Sequence, residues 1–95
     1  MSETFDYIIV GAGSAGCVLG NRMSEDPDTR VALIEAGGAD RNIYIQVPDG
    51  TMDVMNQPDI QWPYQSEPET HLNNRRIWQQ RGKVLGGSSS INAMM

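Results

Sequence analysis

The stretch that decides the fold is residues 5–16, FDYIIVGAGSAG. Its aromatic and β-branched first half, Phe5 to Val10, stops abruptly at glycine, a pattern typical of a strand buried on both faces. Three glycines follow at the spacing G-x-G-x-x-G. Small and apolar residues then recur at helical spacing from Ala15 to Met23, so the glycine turn is expected to open a helix.

The residues after this helix predict a second strand. The helix should end near residues 24–27, because Pro27 disfavours helical geometry in the residue before it. A second apolar run, Val31 to Glu35, predicts a strand that is bounded by the glycines at 37 and 38. Residues 5–36 therefore predict a βαβ unit with a right-handed parallel crossover. The expected fold class is α/β, Rossmann-like, with parallel strands.

The three glycines have distinct mechanical roles in such a unit. Gly11 makes the tight turn after the strand, and Gly13, lacking a Cβ, lets a pyrophosphate approach the backbone. Gly16 allows the helix to pack closely on the strand. The free amides and the positive dipole end of the helix then face the phosphates.

Glu35 is placed to complete a dinucleotide site. At the tip of the second strand, its carboxylate can accept hydrogen bonds from both hydroxyls of an adenosine ribose. It would also repel a 2′-phosphate, which disfavours NADP. The pattern thus predicts an ADP-containing dinucleotide, and it does not separate FAD from NAD.

Residues 37–80 depart from a repeating αβ pattern. Four prolines, with Asn and Asp between them, break any long periodicity. A short helical turn is expected at Gly50 to Asn56 and a short strand at Arg76 to Gln79, with extended loop elsewhere. So long a connection is usually functional or contacts another part of the structure. Trp62 and Tyr64 are expected to be outward aromatics of an edge strand, and Trp62 is either a hydrophobic anchor or a cofactor contact.

A second glycine turn follows in residues 81–95, RGKVLGGSSSINAMM. Gly86 and Gly87 permit close approach of the backbone, and the serines can cap a helix beginning near Ser89. A second helix N-terminus would be a second anion site. Arg81 and Lys83 add positive charge nearby, as a diphosphate requires.

Composition excludes several other classes of protein. Seven basic against 12 acidic residues, a net charge of −5, argue against nucleic-acid binding, which needs a basic patch. No apolar run approaches the ~20 residues of a membrane helix, and no secretory leader is recognisable, so a cytoplasmic setting is expected. The single Cys17 excludes an internal disulfide and a cysteine-built zinc site, and it is expected to be a buried structural thiol. No metal ligand and no catalytic residue is identified.

The sequence resembles a known family. Four segments, FDYIIVGAGSAGCVLGNRMSEDP, TRVALIEAGG, QWPYQSEPE and RGKVLGGSSSINAMM, together resemble the amino-terminal portion of the glucose–methanol–choline (GMC) oxidoreductases. The choline and alcohol dehydrogenase-like members are the most similar. The resemblance covers essentially the whole chain, and it implies FAD rather than NAD, with an alcohol oxidised by hydride transfer to the flavin.

The resemblance also implies a set of cofactor-binding residues. In the adenosine diphosphate half they are Gly11, Gly13, Ser14, Ala15, Gly16, Glu35 and Ala36. In the flavin half they are Val84, Gly87, Asn92, Ala93, Met94 and Met95, and Trp62 and Arg81 complete the set. Some relatives carry a histidine bonded to the flavin one place before the asparagine. Ile91 occupies that place here, so the FAD is expected to be non-covalent.

The chain departs from the family in length. Family members are several times longer, and their catalytic histidine lies near the carboxyl end. Residues 1–95 are therefore expected to be the amino-terminal part of an FAD-binding domain, with the substrate domain absent and no stable fold in isolation. The expected partners are the remainder of the enzyme, in the same or another chain, and a small-molecule alcohol. The alternatives are a non-catalytic dinucleotide-binding fragment, a non-redox relative such as a hydroxynitrile lyase and, less favoured, an NAD-dependent enzyme.

Overall fold

A parallel strand pair joined by one helix forms the first half of the chain. The computed structural model describes residues 2–92. Strand β1, Tyr7–Val10, pairs in parallel with strand β2, Val31–Ile34, and helix α1, Ser14–Met23, connects them. The α1 helix ends just before the segment that leads to Pro27, as its sequence predicts. The predicted βαβ unit is confirmed.

Helix α1 covers only one face of the strand pair. Ile9 and Leu33 lie opposite each other in register and face α1, with side-chain atoms close to Gly20. On the other face Ile8 is 63% exposed and Val10 83%. The expectation that β1 is buried on both faces is therefore wrong within residues 2–92, because a single helix packs on the pair.

The thiol of Cys17 is exposed on α1. The expectation of a buried cysteine is wrong for the same reason, since helix α1 contacts the strands through one side only. The thiol donates a hydrogen bond to the Ala12 carbonyl at 3.3 Å. No helix within residues 2–92 combines the length and the apolar character needed to cross a bilayer.

The middle of the chain is more regular than its sequence predicts. It contains helices α2, Ile43–Gln46, and α3, Thr51–Val54, then strands β3, Gln61–Gln65, and β4, Trp78–Gly82. Short 3₁₀ helices occupy Pro48–Gly50, Pro58–Ile60 and Thr70–Leu72. The expectation of extended loop outside two short elements is thus wrong. Each element spans only three to five residues, so none shows a periodicity long enough to recognise.

Strands β3 and β4 pair as an antiparallel hairpin with two distinct faces. Trp62 lies opposite Arg81, and Gln61 lies opposite Gly82. Because neighbouring side chains alternate between the faces of a strand, Trp62 and Tyr64 share one face. Their rings stack in parallel planes with centroids 5.8 Å apart. The predicted edge strand through these two aromatics is confirmed.

A small hydrophobic core ties the middle segment to the second glycine turn. It consists of four buried residues: Val54, Ile60, Val84 and Ile91. Val84 also forms a parallel bridge with Gly38, and the Lys83 amide donates to the Ile60 carbonyl at 2.7 Å. These contacts hold the second glycine turn against the loop that follows β2.

Within residues 2–92, the second glycine turn opens no α-helix. Gly86 and Gly87 adopt φ values of 90° and 61°, and Gly87–Ser90 then form a single 3₁₀ helix. Ser89 and Ser90 donate their hydroxyls to the carbonyls of Gly86 and Leu85, so they hold the turn together instead of capping a helix. The predicted helix start near Ser89 is wrong, and a four-residue 3₁₀ helix provides no helix N-terminus for an anion.

Candidate functional site

A groove of about 400 Å³ lies where the two glycine turns meet. It sits at the carboxyl ends of β1 and β2, the place where open α/β sheets bind their ligands. Its lining consists of Val10, Gly11, Gly13, Ile34, Glu35, Ala36, Trp62, Gly82 and Gly87. Strand ends, both glycine turns and the hairpin therefore contribute to one site.

The first glycine turn has the geometry that its sequence predicts. Gly11 adopts φ +97°, a conformation that L side chains rarely adopt, so it can make the tight turn after β1. A Cβ at Gly16 would overlap the carbonyl oxygen of Gly11, which shows how closely α1 approaches the strand. A Cβ at Gly13 would meet no atom within 4 Å. Gly13 therefore borders open space at the start of α1.

The two glycine turns are in direct contact. The Gly86 amide donates to the Ala12 carbonyl at 2.7 Å. A Cβ at Gly87 would lie 3.0 Å from the Cα of Gly13, so the second turn approaches the first at backbone distance. The backbones of both turns consequently border the same ligand space.

Glu35 holds the end of β2 against the first glycine turn. Its two carboxylate oxygens accept hydrogen bonds from the Gly37 amide at 2.9 Å and the Ala12 amide at 2.8 Å. These bonds, Gly37 first, hold the pKa of Glu35 below its ordinary value of 4.5, against a smaller opposing effect of burial. Carboxylate oxygens have further lone pairs, so Glu35 can bind these amides and still accept hydrogen bonds from hydroxyls in the groove.

The lowered pKa of Glu35 predicts an acid-sensitive fold. Because the folded-state pKa lies below the ordinary value, its stabilising contribution is complete above pH 4.5 and is lost as pH falls through the folded-state pKa. The free energy of unfolding, measured with denaturant from neutral to acid pH, should therefore fall less in Glu35→Gln than in the unsubstituted protein. The matched variant Glu67→Gln changes a side chain that is 90% exposed and should follow the unsubstituted protein. Identical pH profiles for Glu35→Gln and the unsubstituted protein would contradict the assignment.

Several predicted site residues lie outside the groove lining. Ser14 and Ala15 are exposed in the first turn of α1, and Asn92 is exposed with its side-chain amide donating to the Ser89 carbonyl. Arg81 is exposed and donates to the Gln80 carbonyl. The side chain of Val84 is fully buried in the core, so only its backbone can approach a ligand. Ala93, Met94 and Met95 lie outside the described residues.

Sequence reasoning missed three residues of the lining: Val10, Ile34 and Gly82. Val10 and Ile34 are the last residues of the two parallel strands, and carboxyl ends of strands border ligand sites in this class of fold. That rule could have identified them. Gly82 carries no comparable signal, because its place depends on the hairpin register, where a Cβ would overlap the carbonyl of Gly87.

The groove fits the adenosine diphosphate part of a dinucleotide. Its volume falls in the range of about 300–1,000 Å³ that small-molecule sites occupy. Gly13 leaves open space beside the amino end of a ten-residue helix, and the first amides of such a helix have no acceptor within it. Glu35 lines the same groove, and its carboxylate could accept hydrogen bonds from hydroxyl groups there.

Comparison with known proteins identifies the family. The GMC oxidoreductase family matches residues 5–95. An alcohol dehydrogenase [acceptor] of Pseudomonas putida is 56% identical over 91 residues, which is 96% of this chain and 16% of the relative. An oxygen-dependent choline dehydrogenase of Vibrio vulnificus is 53% identical over 95 residues, which is 100% of this chain and 17% of the relative. The chain therefore spans about one sixth of the length of these curated relatives.

Solved structures agree with the sequence relatives. The crystal structure of pyridoxine 4-oxidase from Mesorbium loti has a TM-score of 0.88 at 40% identity, covering 96% of this chain and 18% of that one. An FAD-dependent oxidoreductase from Chaetomium thermophilum has a TM-score of 0.76 at 36% identity, covering 96% of this chain and 15% of that one. Since the family match runs through both glycine turns and Glu35, the chain belongs to the GMC oxidoreductase family, with FAD as its expected cofactor.

Proposed function

We propose that this chain is the FAD-binding segment of an enzyme that oxidises an alcohol by hydride transfer to FAD. The observation that carries the proposal is the single groove bordered by both glycine turns and by Glu35. Gly11 and Gly13 would admit the diphosphate to the backbone, and Glu35 would accept hydrogen bonds from the adenosine ribose. The names of the relatives, an alcohol dehydrogenase and choline dehydrogenases, support an alcohol as the substrate class.

The chemistry would be divided between the cofactor and the protein. When bound, FAD supplies the acceptor for the hydride, and the protein supplies binding and orientation. Within this chain, the first turn of α1 would bind phosphate oxygens, and the Trp62 ring would form one wall. Ser14, Ala15 and Gly16 would act through backbone amides, with Arg81 as a nearby cation. Asn92, with Ala93 to Met95, remains the predicted contact to the flavin half.

The FAD would be held without a covalent bond. Ile91, at the position where some relatives carry a flavin-bonded histidine, has an aliphatic side chain without a nucleophilic atom. It is 4% exposed and packs in the hydrophobic core. Precipitating the holoprotein with acid should therefore release the flavin into the supernatant.

The remainder of a longer enzyme, in the same or another chain, would supply the substrate site. Two observations support such a partner. The free face of the β1–β2 pair exposes Ile8, Val10 and Ile34, which a further layer would cover. The radius of gyration is 16.8 Å, whereas a compact domain of this length has about 12 Å. The cytoplasmic setting stays a prediction.

The test is spectroscopic and uses the complete enzyme. Purified protein should show the visible absorption bands of oxidised flavin, and adding an alcohol without oxygen should bleach them. Bound flavin that no alcohol of a broad panel bleaches would favour a non-redox relative. Protein that binds no flavin after reconstitution would overturn the proposal.

A further inference from the structure

The ammonium group of Lys83 lies over the ring of Trp62. The distance from Nζ to the ring centroid is 4.8 Å, within the ~6 Å over which a cation is attracted to the face of an indole. Trp62 is itself a wall of the groove, together with Glu35 and both glycine turns. Lys83 therefore acts on a residue of the site without lining the site itself.

The backbone of Lys83 is fixed from two directions. Its amide donates to the Ile60 carbonyl at 2.7 Å. Its carbonyl lies so close to Gly37 that a Cβ there would overlap it. The Lys83 backbone is thus held between the hairpin and the second glycine turn. Less conformational entropy is therefore lost when the ammonium group contacts the ring.

Arg81 provides an instructive contrast. It lies directly opposite Trp62 in the hairpin register, yet its guanidinium donates to the Gln80 carbonyl. The cation over the Trp62 ring is the ammonium group of Lys83. The cation of Lys83 therefore contacts the indole that forms the groove wall, whereas the cation of Arg81 binds a backbone carbonyl.

We propose that Lys83 is a positioning residue, which holds the Trp62 indole in place as a wall of the FAD groove. This inference rests on the proposed function. The stacked Tyr64 ring restrains the indole in part, and without Lys83 a cofactor would have to complete the ordering of the indole on binding. With Lys83 over the ring, the wall is already formed before FAD arrives, which favours binding.

The experiment is a double-mutant cycle on the complete enzyme freed of FAD. Lys83→Met keeps an apolar stem and removes the charge, and it should raise the Kd for FAD about tenfold, given the usual strength of a cation–π contact. Lys83→Arg should stay within about twofold, since arginine also stacks on indoles. Arg75→Met is the control, because Arg75 is exposed beyond the far end of the β3–β4 hairpin and outside the groove lining, and it should also stay within about twofold.

The cycle separates action through Trp62 from simple charge attraction. In a Trp62→Leu background, Lys83→Met should have almost no further effect on the Kd, because the ring that Lys83 positions is gone. Equal losses in both backgrounds would mean that Lys83 acts on FAD by its charge alone, and would overturn the inference. An unchanged Kd in the Lys83→Met protein would overturn it as well.

A second measurement does not depend on the cofactor. With fluorotryptophan incorporated, the ¹⁹F resonance of Trp62, assigned by Trp62→Phe, should shift in the FAD-free Lys83→Met protein and not in Arg75→Met. If the methionine variant unfolds, Lys83→Gln takes its place. Failure of the unsubstituted enzyme to bind FAD would instead count against the proposed function, so the two failures are distinguishable.

Discussion

Replacing Gly16 with alanine is expected to separate helix α1 from strand β1 and to abolish stable FAD binding. A Cβ at this position would overlap the carbonyl oxygen of Gly11. The obstacle is backbone, so no change of side-chain rotamer can relieve it. Overpacking of this kind costs about 1–3 kcal/mol, a large part of the 5–15 kcal/mol by which domains are stable. The thermal midpoint of the complete enzyme and its flavin content after purification should both fall sharply.

A matched glycine on the same helix provides the control. A Cβ at Gly20 would meet the side chains of Leu33 and Ile9 at 3.7 and 3.9 Å, which is ordinary contact. Alanine also favours a helix interior over glycine by about 1 kcal/mol. Gly20→Ala should therefore leave the thermal midpoint unchanged or raise it. If both substitutions lower the thermal midpoint equally, the loss in Gly16→Ala does not come from overlap of its Cβ with the Gly11 carbonyl.

The part of the fold that could be predicted from sequence depends on short-range signals. The apolar run before Gly11 and the proline after α1 each act within a few residues, so the βαβ unit was recognisable without knowing its surroundings. Burial was not. Val10 looks like a core residue in sequence, yet it is 83% exposed, because burial depends on which other elements cover the strand.

The prediction for the middle segment was wrong for a different reason. Strand β4 was expected at Arg76 to Gln79 and lies at Trp78–Gly82, where it pairs with β3 across a long connection. Pairing at that separation sets the register, and local composition does not encode it. The same non-local hairpin brings Gly82 into the groove, which is why this residue was missed.

The second glycine turn shows how one composition can produce two structures. Gly86–Gly87 followed by serines is a plausible helix start, since serine is a preferred N-cap. Serine hydroxyls also bond to nearby carbonyls in turns, and here Ser89 and Ser90 do so. Gly87 does line the groove beside Gly13, whereas the helix expected to follow it is not formed within residues 2–92.

Replacing Gly13 with alanine should separate ligand binding from folding. Gly13 has φ −75° and ψ −171°, extended backbone that alanine adopts without strain. A Cβ there would meet no protein atom within 4 Å. The thermal midpoint of the FAD-free enzyme should therefore stay near that of the unsubstituted protein, in contrast to Gly16→Ala.

The same methyl group would project beside the space proposed for the diphosphate. A pyrophosphate bound to the first amides of α1 needs backbone contact, and a methyl group would hold it off. Losing these charged hydrogen bonds should raise the Kd for FAD about a hundredfold, equivalent to roughly 3 kcal/mol. Titration of FAD-free protein with FAD, followed by flavin fluorescence, measures the change.

Gly38→Ala is the matched control for this second substitution. Its Cβ would also enter open space, and Gly38 does not line the groove. FAD affinity should then be unchanged. If Gly13→Ala binds FAD as tightly as Gly38→Ala does, the diphosphate does not lie at the first glycine turn, and the placement of the cofactor between the two turns is wrong. A loss of affinity confined to Gly13→Ala, with both FAD-free proteins equally stable, would locate the phosphates at the amino end of α1.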